Sequence, residues 1–392
     1  MADLTTRFLG MTFANPFILA SSPVTTNSAL IIAGFRAGWG GAVLKTIGLE
    51  PTPNPSPALY ILKSGRDKRG MINLELITEF PIANWITEIH LIRAEFPDKP
   101  LIASIMGGGN PDDWQKVMSI IEPCGISAYE MNVSCPNFSE KRGAQLGQDP
   151  EALAQAVGWV RSATKLPVIV KLTPNVTDIV ELARVAMEAG ADAVTATNTL
   201  SGMGGVDLEC LQPLPTVDQL SATGGYSGPG LKPVSLRCAA NIAKALPVPL
   251  VGSGGITRWQ DAAEYMAVGA SLVEICTAVM WNGFGIIDRL TDGLSQYLDK
   301  HQFASPAELV GKALPSLVKY SRLNLSARMT ASVIEDNCNG CGECVVACAT
   351  GAVGAIEVVE KKAFIDIVRC KGCGLCVGVC PRNAVKLIEK VS

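Results

Sequence analysis

The chain has no surplus of positive charge, with 33 Lys and Arg against 36 Asp and Glu and a formal net charge of −3. A phosphate backbone calls for a basic stripe or patch, so nucleic acid is not an expected partner. No apolar run approaches the ~20 residues that cross a bilayer. The opening Met1-Ala2-Asp3-Leu4-Thr5-Thr6-Arg7 also lacks the charged-then-apolar pattern of a leader. The expectation is a cytoplasmic protein with no membrane association. A third absence bears on chemistry. No Gly-x-Gly-x-x-Gly opens a helix after a strand, so no dinucleotide fold for NAD(P)H or FAD is expected, and electrons from such a carrier must enter through another subunit.

At 392 residues and 48% hydrophobic content, the chain can bury one large core and still carry a second domain of about 50 residues. Eight of the 13 cysteines supply that second domain. They form two runs of one spacing, Cys338-x2-Cys341-x2-Cys344-x3-Cys348 and Cys370-x2-Cys373-x2-Cys376-x3-Cys380, the second followed by Pro381. This is the bacterial ferredoxin pattern for two [4Fe-4S] clusters, in which the fourth cysteine of each run ligates the other cluster. Cys338, Cys341, Cys344 and Cys380 are therefore expected to hold one cluster, and Cys370, Cys373, Cys376 and Cys348 the other. Ala349 stands where the motif often has proline, which affects a turn and not the ligand count. A pair of zinc sites or a disulfide framework would compete for these cysteines, but zinc sites seldom use a doubled triplet and nothing suggests export. Of the other five, Cys124, Cys210, Cys238 and Cys276 read as small core residues, and Cys135 stands apart because of its neighbours.

From residue 17 to about 300, short apolar runs alternate with amphipathic stretches, as repeated βα units do. The expected strands are 17–23, 42–48, 101–107, 129–136, 168–174, 193–199, 250–256 and 272–280. One intervening helix is expected over 177–189, with Asp178 in its first turn and Ile179, Val180, Leu182, Val185 and Ala186 on its apolar face. Eight such units predict a (β/α)8 TIM barrel over 1–300, a linker over 301–329 and a ferredoxin-like domain over 330–392. Two connections, 49–78 and 200–230, exceed plain turns. Because loops after strands lie on the catalytic face of such a barrel, both are candidate lids or cofactor loops.

Polar groups interrupt the apolar runs where strands should end: Lys45, then Asn132, Ser134 and Cys135, then Lys171, then Asn198 and Thr199. A single strand-end lysine is ordinarily a salt-bridge partner; two lysines with several amides point to a site. After the seventh and eighth expected strands come Gly252-Ser253-Gly254-Gly255-Ile256 and Cys276-Thr277-Ala278. Barrels often hold a phosphate there, since glycine lets backbone N–H groups approach an anion, although a Gly-Gly pair equally suits an ordinary turn. Beside a two-cluster wire, FMN is the fitting occupant, because a flavin exchanges single electrons with clusters and a hydride with an organic ring.

Several segments together resemble one enzyme family. Asn132-Val133-Ser134-Cys135-Pro136, Lys171 to Asp178, Thr195 to Gly202, Gly252 to Ile256 and Met71 to Glu79 are similar to the FMN half of the dihydropyrimidine dehydrogenases. The similarity runs through the ferredoxin tail, matches the separate FMN and iron–sulfur subunit of the bacterial NAD-dependent enzyme, and extends more weakly to the class 1 dihydroorotate dehydrogenases. The resemblance implies that Lys45 and Lys171 contact the flavin ring and that Ala20, Ser21, Asn132, Gly228, Gly254, Gly255, Cys276 and Thr277 line the FMN site. It implies that Asn73, Asn132, Ser134, Asn198 and Thr199 hold the pyrimidine and that Cys135 gives or takes the proton. It further implies a flavoprotein partner carrying FAD and NAD(P)H, in a heterotetramer of two plus two.

Elementary chemistry agrees with that distribution. Uracil and thymine are neutral rings whose edges alternate donors and acceptors, and a carboxamide offers both on one short side chain. Reducing the C5–C6 double bond needs a hydride from FMN N5 at C6 and a proton at C5, which a thiol of ordinary pKa near 8.5 can supply. For Asn73 a turn-forming role is the competing use. The loop from Pro136 to Gly147 departs from the animal enzymes, which usually carry His-Gly after Cys-Pro; here Asn137 follows, as in dihydroorotate dehydrogenases. Alternatives are therefore dihydroorotate oxidation, with Lys141 and Arg142 as the nearby cations, reduction of another cyclic imide or amide, or a non-catalytic electron-transfer subunit.

Overall fold

The computed structural model describes residues 2–134 and 146–390. The chain divides into two compact units, Met1–Ser316 and Leu317–Ser392. The expected linker 301–329 is split between them. Backbone bonds from Gly311 N to Met266 O (2.9 Å) and Ala313 N to Ala267 O (2.8 Å) tie its first part to the larger unit. Its last residue, Met329, opens a strand of the smaller one.

The larger unit is a closed parallel barrel of eight strands in sequence order. The strands are β1 Phe17–Leu19, β2 Gly41–Val43, β3 Leu101–Ile105, β4 Ala128–Asn132, β5 Val168–Leu172, β6 Ala193–Ala196, β7 Leu250–Ser253 and β8 Leu272–Ile275. All eight lie where the apolar runs placed them. Most end earlier than expected, because the residues beyond them turn to line the top of the barrel. The run 272–280 ends five residues early: after Ile275 the chain turns at Cys276 into a short helix, Thr277–Asn282.

Alternation along these strands sorts the side chains into layers. Leu19, Ala42, Ala103, Tyr129, Met131, Val170, Val194 and Val273 pack outward with the surrounding helices in the main apolar core. One residue from each strand, Ile18, Val43, Ile102, Ala128, Ile169, Ala193, Val251 and Leu272, packs inward. Phe8 and Phe13, from the N-terminal hairpin Thr6–Phe8 and Met11–Phe13, join that layer and plug the bottom. Two residues further along each strand direction stand Ala20, Lys45, Ser104, Glu130, Lys171, Thr195, Ser253 and Glu274. Seven of these eight are polar, and all are buried. The barrel is thus greasy at its base and charged at mid-height, and the charged layer is the floor of the site.

The helix expected over 177–189 spans Ile179–Glu188, with Asp178 as its N-cap, accepting from Val180 N at 2.9 Å and Glu181 N at 3.4 Å. Ile179, Leu182, Ala183 and Ala186 form its buried stripe, and Val180 and Val185 pack at its margin.

The two long connections meet. Strands Leu59–Ser64 and Asp67–Asn73 from the first, with Leu200–Gly202 and Gly224–Ser227 from the second, form one antiparallel four-stranded sheet. Gly225 pairs with Asn73, Tyr226 with Ile72 and Ser227 with Met71. Cys210, expected in the core, is exposed, because it lies between the short strands Val206–Asp207 and Gln212–Pro213 of a separate surface hairpin. Cys124 and Cys238 are buried as expected.

In the smaller unit, Met329–Val333 pairs with Val385–Glu389 and Ile356–Val359 with Lys362–Ile365, both antiparallel, alongside helices Glu343–Gly351 and Leu375–Val379. Among the described residues no helix is long and apolar enough to cross a membrane.

Candidate active site

A cavity opens above the charged layer of the barrel. Its walls bring together Ala20, Ser21, Lys45, Asn132, Lys171, Gly254, Gly255, Cys276 and Thr277 from the strand ends, Asn198 and Thr199 just past β6, and Asn73 and Gly228 from the paired connections. Ser134 stands directly behind this wall, with Asn198 Nδ2 donating to its Oγ at 2.6 Å. Cys135, Lys141 and Arg142 lie outside the described residues.

Two of the three asparagines are bonded to each other, and the third is fixed by its own turn. Asn132 Nδ2 donates to Thr46 Oγ1 at 3.1 Å, and its Oδ1 accepts from Ser134 N at 3.3 Å and from Asn198 Nδ2 at 3.5 Å. Asn198 Oδ1 accepts from Thr199 N at 2.8 Å. Asn73 Oδ1 accepts from Glu75 N at 2.6 Å, so Asn73 both shapes its turn and faces the cavity. Each carboxamide is thereby oriented and keeps capacity for a planar polar ring.

Both lysines are paired. Lys45 Nζ lies 2.8 Å from Glu75 Oε2. Lys171 Nζ lies 2.6 Å from Glu274 Oε2 and 3.3 Å from Glu130 Oε1, and Thr195 Oγ1 donates to Glu130 Oε2 at 3.0 Å. Burial works against the charge of Lys171, but the two carboxylates hold its pKa above the usual lysine range. Burial also pushes Glu274 well above the ordinary glutamate range; the like charge of Glu130 adds to this and Lys171 opposes it. Desolvation likewise raises the thiol pKa of Cys276.

Glu75, Glu130 and Glu274 were not singled out from the sequence. Glu130 and Glu274 did carry a signal, since each interrupts an apolar strand two residues beyond an inward-facing apolar position. Thr46 and Ser104, bonded through their hydroxyls at 2.9 Å, were missed as well and complete the wall beside Asn132.

The loop after β7 is tied down by a carboxylate. Asp261 accepts from Thr257 N (2.9 Å), Thr257 Oγ1 (2.9 Å) and Arg258 N (3.1 Å), and pairs with Lys232 Nζ at 2.6 Å. Burial opposes its ionisation, yet Lys232 and the Thr257 donors keep its pKa below the usual carboxylate value. Gly254 and Gly255 have φ of +119° and +73°, and a Cβ on Gly255 would lie 2.6 Å from Lys232 N. Gly255→Ala is therefore expected to lower stability by about 1–3 kcal/mol, read as a drop in thermal midpoint.

In the smaller unit two recesses form, each lined by four cysteines. Cys338, Cys341, Cys344 and Cys380 line one. Cys348, Cys370, Cys373 and Cys376 line the other. Among the described residues no three His, Cys, Asp or Glu side chains could hold a single metal ion. A cluster several atoms across needs its thiolates spread around a recess, which is how these stand. Backbone N–H groups already point at four of the sulfurs: Ala363 N at Cys338 (3.4 Å), Ala384 N at Cys380 (3.2 Å), Ala355 N at Cys348 (3.2 Å) and Gly372 N at Cys370 (3.4 Å).

Comparison with known proteins defines the class. The profile of the family described as dihydroorotate dehydrogenase matches residues 3–298, and that of the 4Fe-4S dicluster domain matches residues 331–387. The chain belongs to the dihydroorotate dehydrogenase family, with a 4Fe-4S dicluster domain appended, and is an oxidoreductase acting on CH–CH bonds. It is 35% identical over 364 residues to the NAD-dependent dihydropyrimidine dehydrogenase subunit PreA of Escherichia coli K12, covering 92% of this chain and 88% of that one. It is 34% identical over 337 residues to the chloroplastic dihydropyrimidine dehydrogenase (NADP(+)) of Arabidopsis thaliana, covering 82% and 79%. It is 38% identical over 308 residues to the catalytic subunit of dihydroorotate dehydrogenase B (NAD(+)) of Pyrococcus furiosus, covering 78% and 97%.

Proposed function

We propose that this chain is the catalytic subunit of a dihydropyrimidine dehydrogenase that reduces the C5–C6 double bond of uracil or thymine. The observation that carries the reading is a cavity walled by three asparagines, Asn132 and Asn198 bonded to each other and Asn73 held by its own turn, in which both lysines are already paired with carboxylates. Such a wall suits a neutral, flat ring with alternating donors and acceptors.

The cavity also fits FMN. Gly254 and Gly255, both at positive φ and without side chains, line the cavity together with Thr277 and Ala278 at the start of the helix after β8. Ala20, Ser21, Lys45, Asn132, Lys171, Gly228, Gly254, Gly255, Cys276 and Thr277 would hold it. When bound, FMN supplies hydride exchange with the ring and single-electron exchange with iron–sulfur clusters. Lys171 and Lys45 would contact its ring. Asn73, Asn132, Ser134, Asn198 and Thr199 would orient the pyrimidine, and Cys135 would deliver the proton to C5. Cys338, Cys341, Cys344 and Cys380 would carry one cluster, and Cys370, Cys373, Cys376 and Cys348 the other. Electrons would reach them from a partner subunit bearing FAD and NAD(P)H, in a cytoplasmic two-plus-two assembly.

The test is anaerobic. The purified, cluster-loaded protein is reduced with dithionite, mixed with uracil, thymine or orotate, and followed in the visible flavin band. Rapid reoxidation by uracil or thymine is expected, slowed about 10²–10⁴-fold in Cys135→Ala. Reoxidation by orotate alone, or by none of the three, would overturn the assignment.

A further inference from the structure

We infer that Glu75 sets the charge selectivity of the cavity, admitting neutral pyrimidines and rejecting rings that bear a carboxylate; this deepens the reading proposed above and rests on it. Two lysines and two glutamates line the cavity among the described residues. Lys171 lies at the floor and is committed to Glu274 and Glu130. Among the described residues that line the cavity, Lys45 is the cation left to receive an anionic substituent, and Glu75 takes it, at 2.8 Å. The pair is well shielded, with side-chain exposures of 6% for Lys45 and 19% for Glu75.

Glu75 is held in that posture by its own loop. Its backbone N donates to Asn73 Oδ1 at 2.6 Å, and Asn73 is paired across to Gly225 in the sheet joining the two long connections. The residue that faces the ring and the residue that neutralises Lys45 thus sit on one short turn.

The chemistry separates two kinds of ring. An ionised carboxylate only accepts hydrogen bonds, so Glu75 can take an N–H from a neutral pyrimidine and can offer nothing to a second carboxylate. A ring carboxylate entering the cavity would lose its water and find Lys45 already engaged and a like charge beside it. Rejection by an unpaired or repelled charge is a general route to specificity. Replacing Glu75 with glutamine keeps its size and its bond to Lys45 but removes the negative charge, returning the charge of Lys45 to the cavity.

The experiment measures binding to the oxidised, FMN-loaded full-length protein by perturbation of the flavin absorbance, with uracil and orotate as probes and no electron donor present. The wild-type protein is expected to bind uracil well in preference to orotate. Glu75→Gln should narrow the ratio of the two dissociation constants by at least about tenfold, mainly by tightening orotate. Glu75→Asp, which keeps the charge, should retain the wild-type preference. Equal exclusion of orotate by wild type and Glu75→Gln would overturn the inference, as would wild-type binding of orotate as tight as that of uracil. The reading of the reaction is judged separately by turnover: selective binding of uracil without its reduction would overturn that reading and still leave the ratio to decide the role of Glu75.

Discussion

Replacing Lys171 by methionine is expected to cost the folded protein about 3–5 kcal/mol, the usual penalty for leaving a buried charge without its partner. Glu130 and Glu274 are 0% and 2% exposed, and Lys171 is the one cation within salt-bridge distance of either among the described residues. The variant has one escape, which is to protonate both carboxyls. The loss should therefore be largest at neutral pH and shrink toward pH 5, measured as the denaturation midpoint across a pH series. Replacing all three charges, as Lys171→Met with Glu130→Gln and Glu274→Gln, should restore much of the stability, because a neutral buried cluster no longer carries a desolvated charge.

The same cluster predicts a pH slope in the wild-type protein. Its sign follows from proton counting. The raised pKa of Glu274 means the folded state keeps a proton that the unfolded chain releases above the ordinary glutamate value of about 4.3. Where the folded state holds more protons, stability falls as pH rises. The contribution is thus complete below that value and is lost as pH climbs through the raised folded-state pKa. Glu274→Gln should abolish this component while leaving Lys171 paired to Glu130.

The barrel was legible because each strand is a compact apolar run and its neighbour in the sheet is its neighbour in sequence. The strand ends were legible for a related reason, since Lys45, Asn132, Lys171 and Asn198 break those runs where loops begin. What the sequence hid was partnership around the closed ring. Glu274 lies 103 residues from Lys171 and Glu130 lies 41 residues from it. Only closure of the barrel, with β8 beside β1, sets all three in one layer. Lys45 and Glu75 likewise meet only because the connection after β2 folds back over the barrel mouth. The ordinary role of a strand-end lysine, a salt bridge, is what both lysines display, and it coexists with their place on the cavity wall. Cys210 was misjudged because hydrophobicity alone does not reveal that its hairpin stands away from the core.

The cysteine runs allow a test that separates crossed from local ligation. Cys348 is one helical turn beyond Cys344 on Glu343–Gly351, yet it lines the recess of Cys370, Cys373 and Cys376. Cys380, just past the helix Leu375–Val379, lines the recess of Cys338, Cys341 and Cys344. A single Cys348→Ala change removes one cluster under either scheme, with loss of about half the iron. The double variant Cys338→Ala with Cys348→Ala discriminates. If each run kept its own four cysteines, both changes would fall on one cluster and the second would survive with about half the iron. Crossed ligation puts one change in each recess, so both clusters should be lost, together with the low-temperature EPR signal of the dithionite-reduced protein and electron delivery from any partner. Survival of one intact cluster in the double variant would overturn the crossed assignment. The single variant Cys380→Ala should then behave as Cys348→Ala does in iron content but differ in EPR line shape, because the cluster that remains sits against Ala355 N and Gly372 N and not against Ala363 N, and donors to the cluster sulfurs tune its electronic properties.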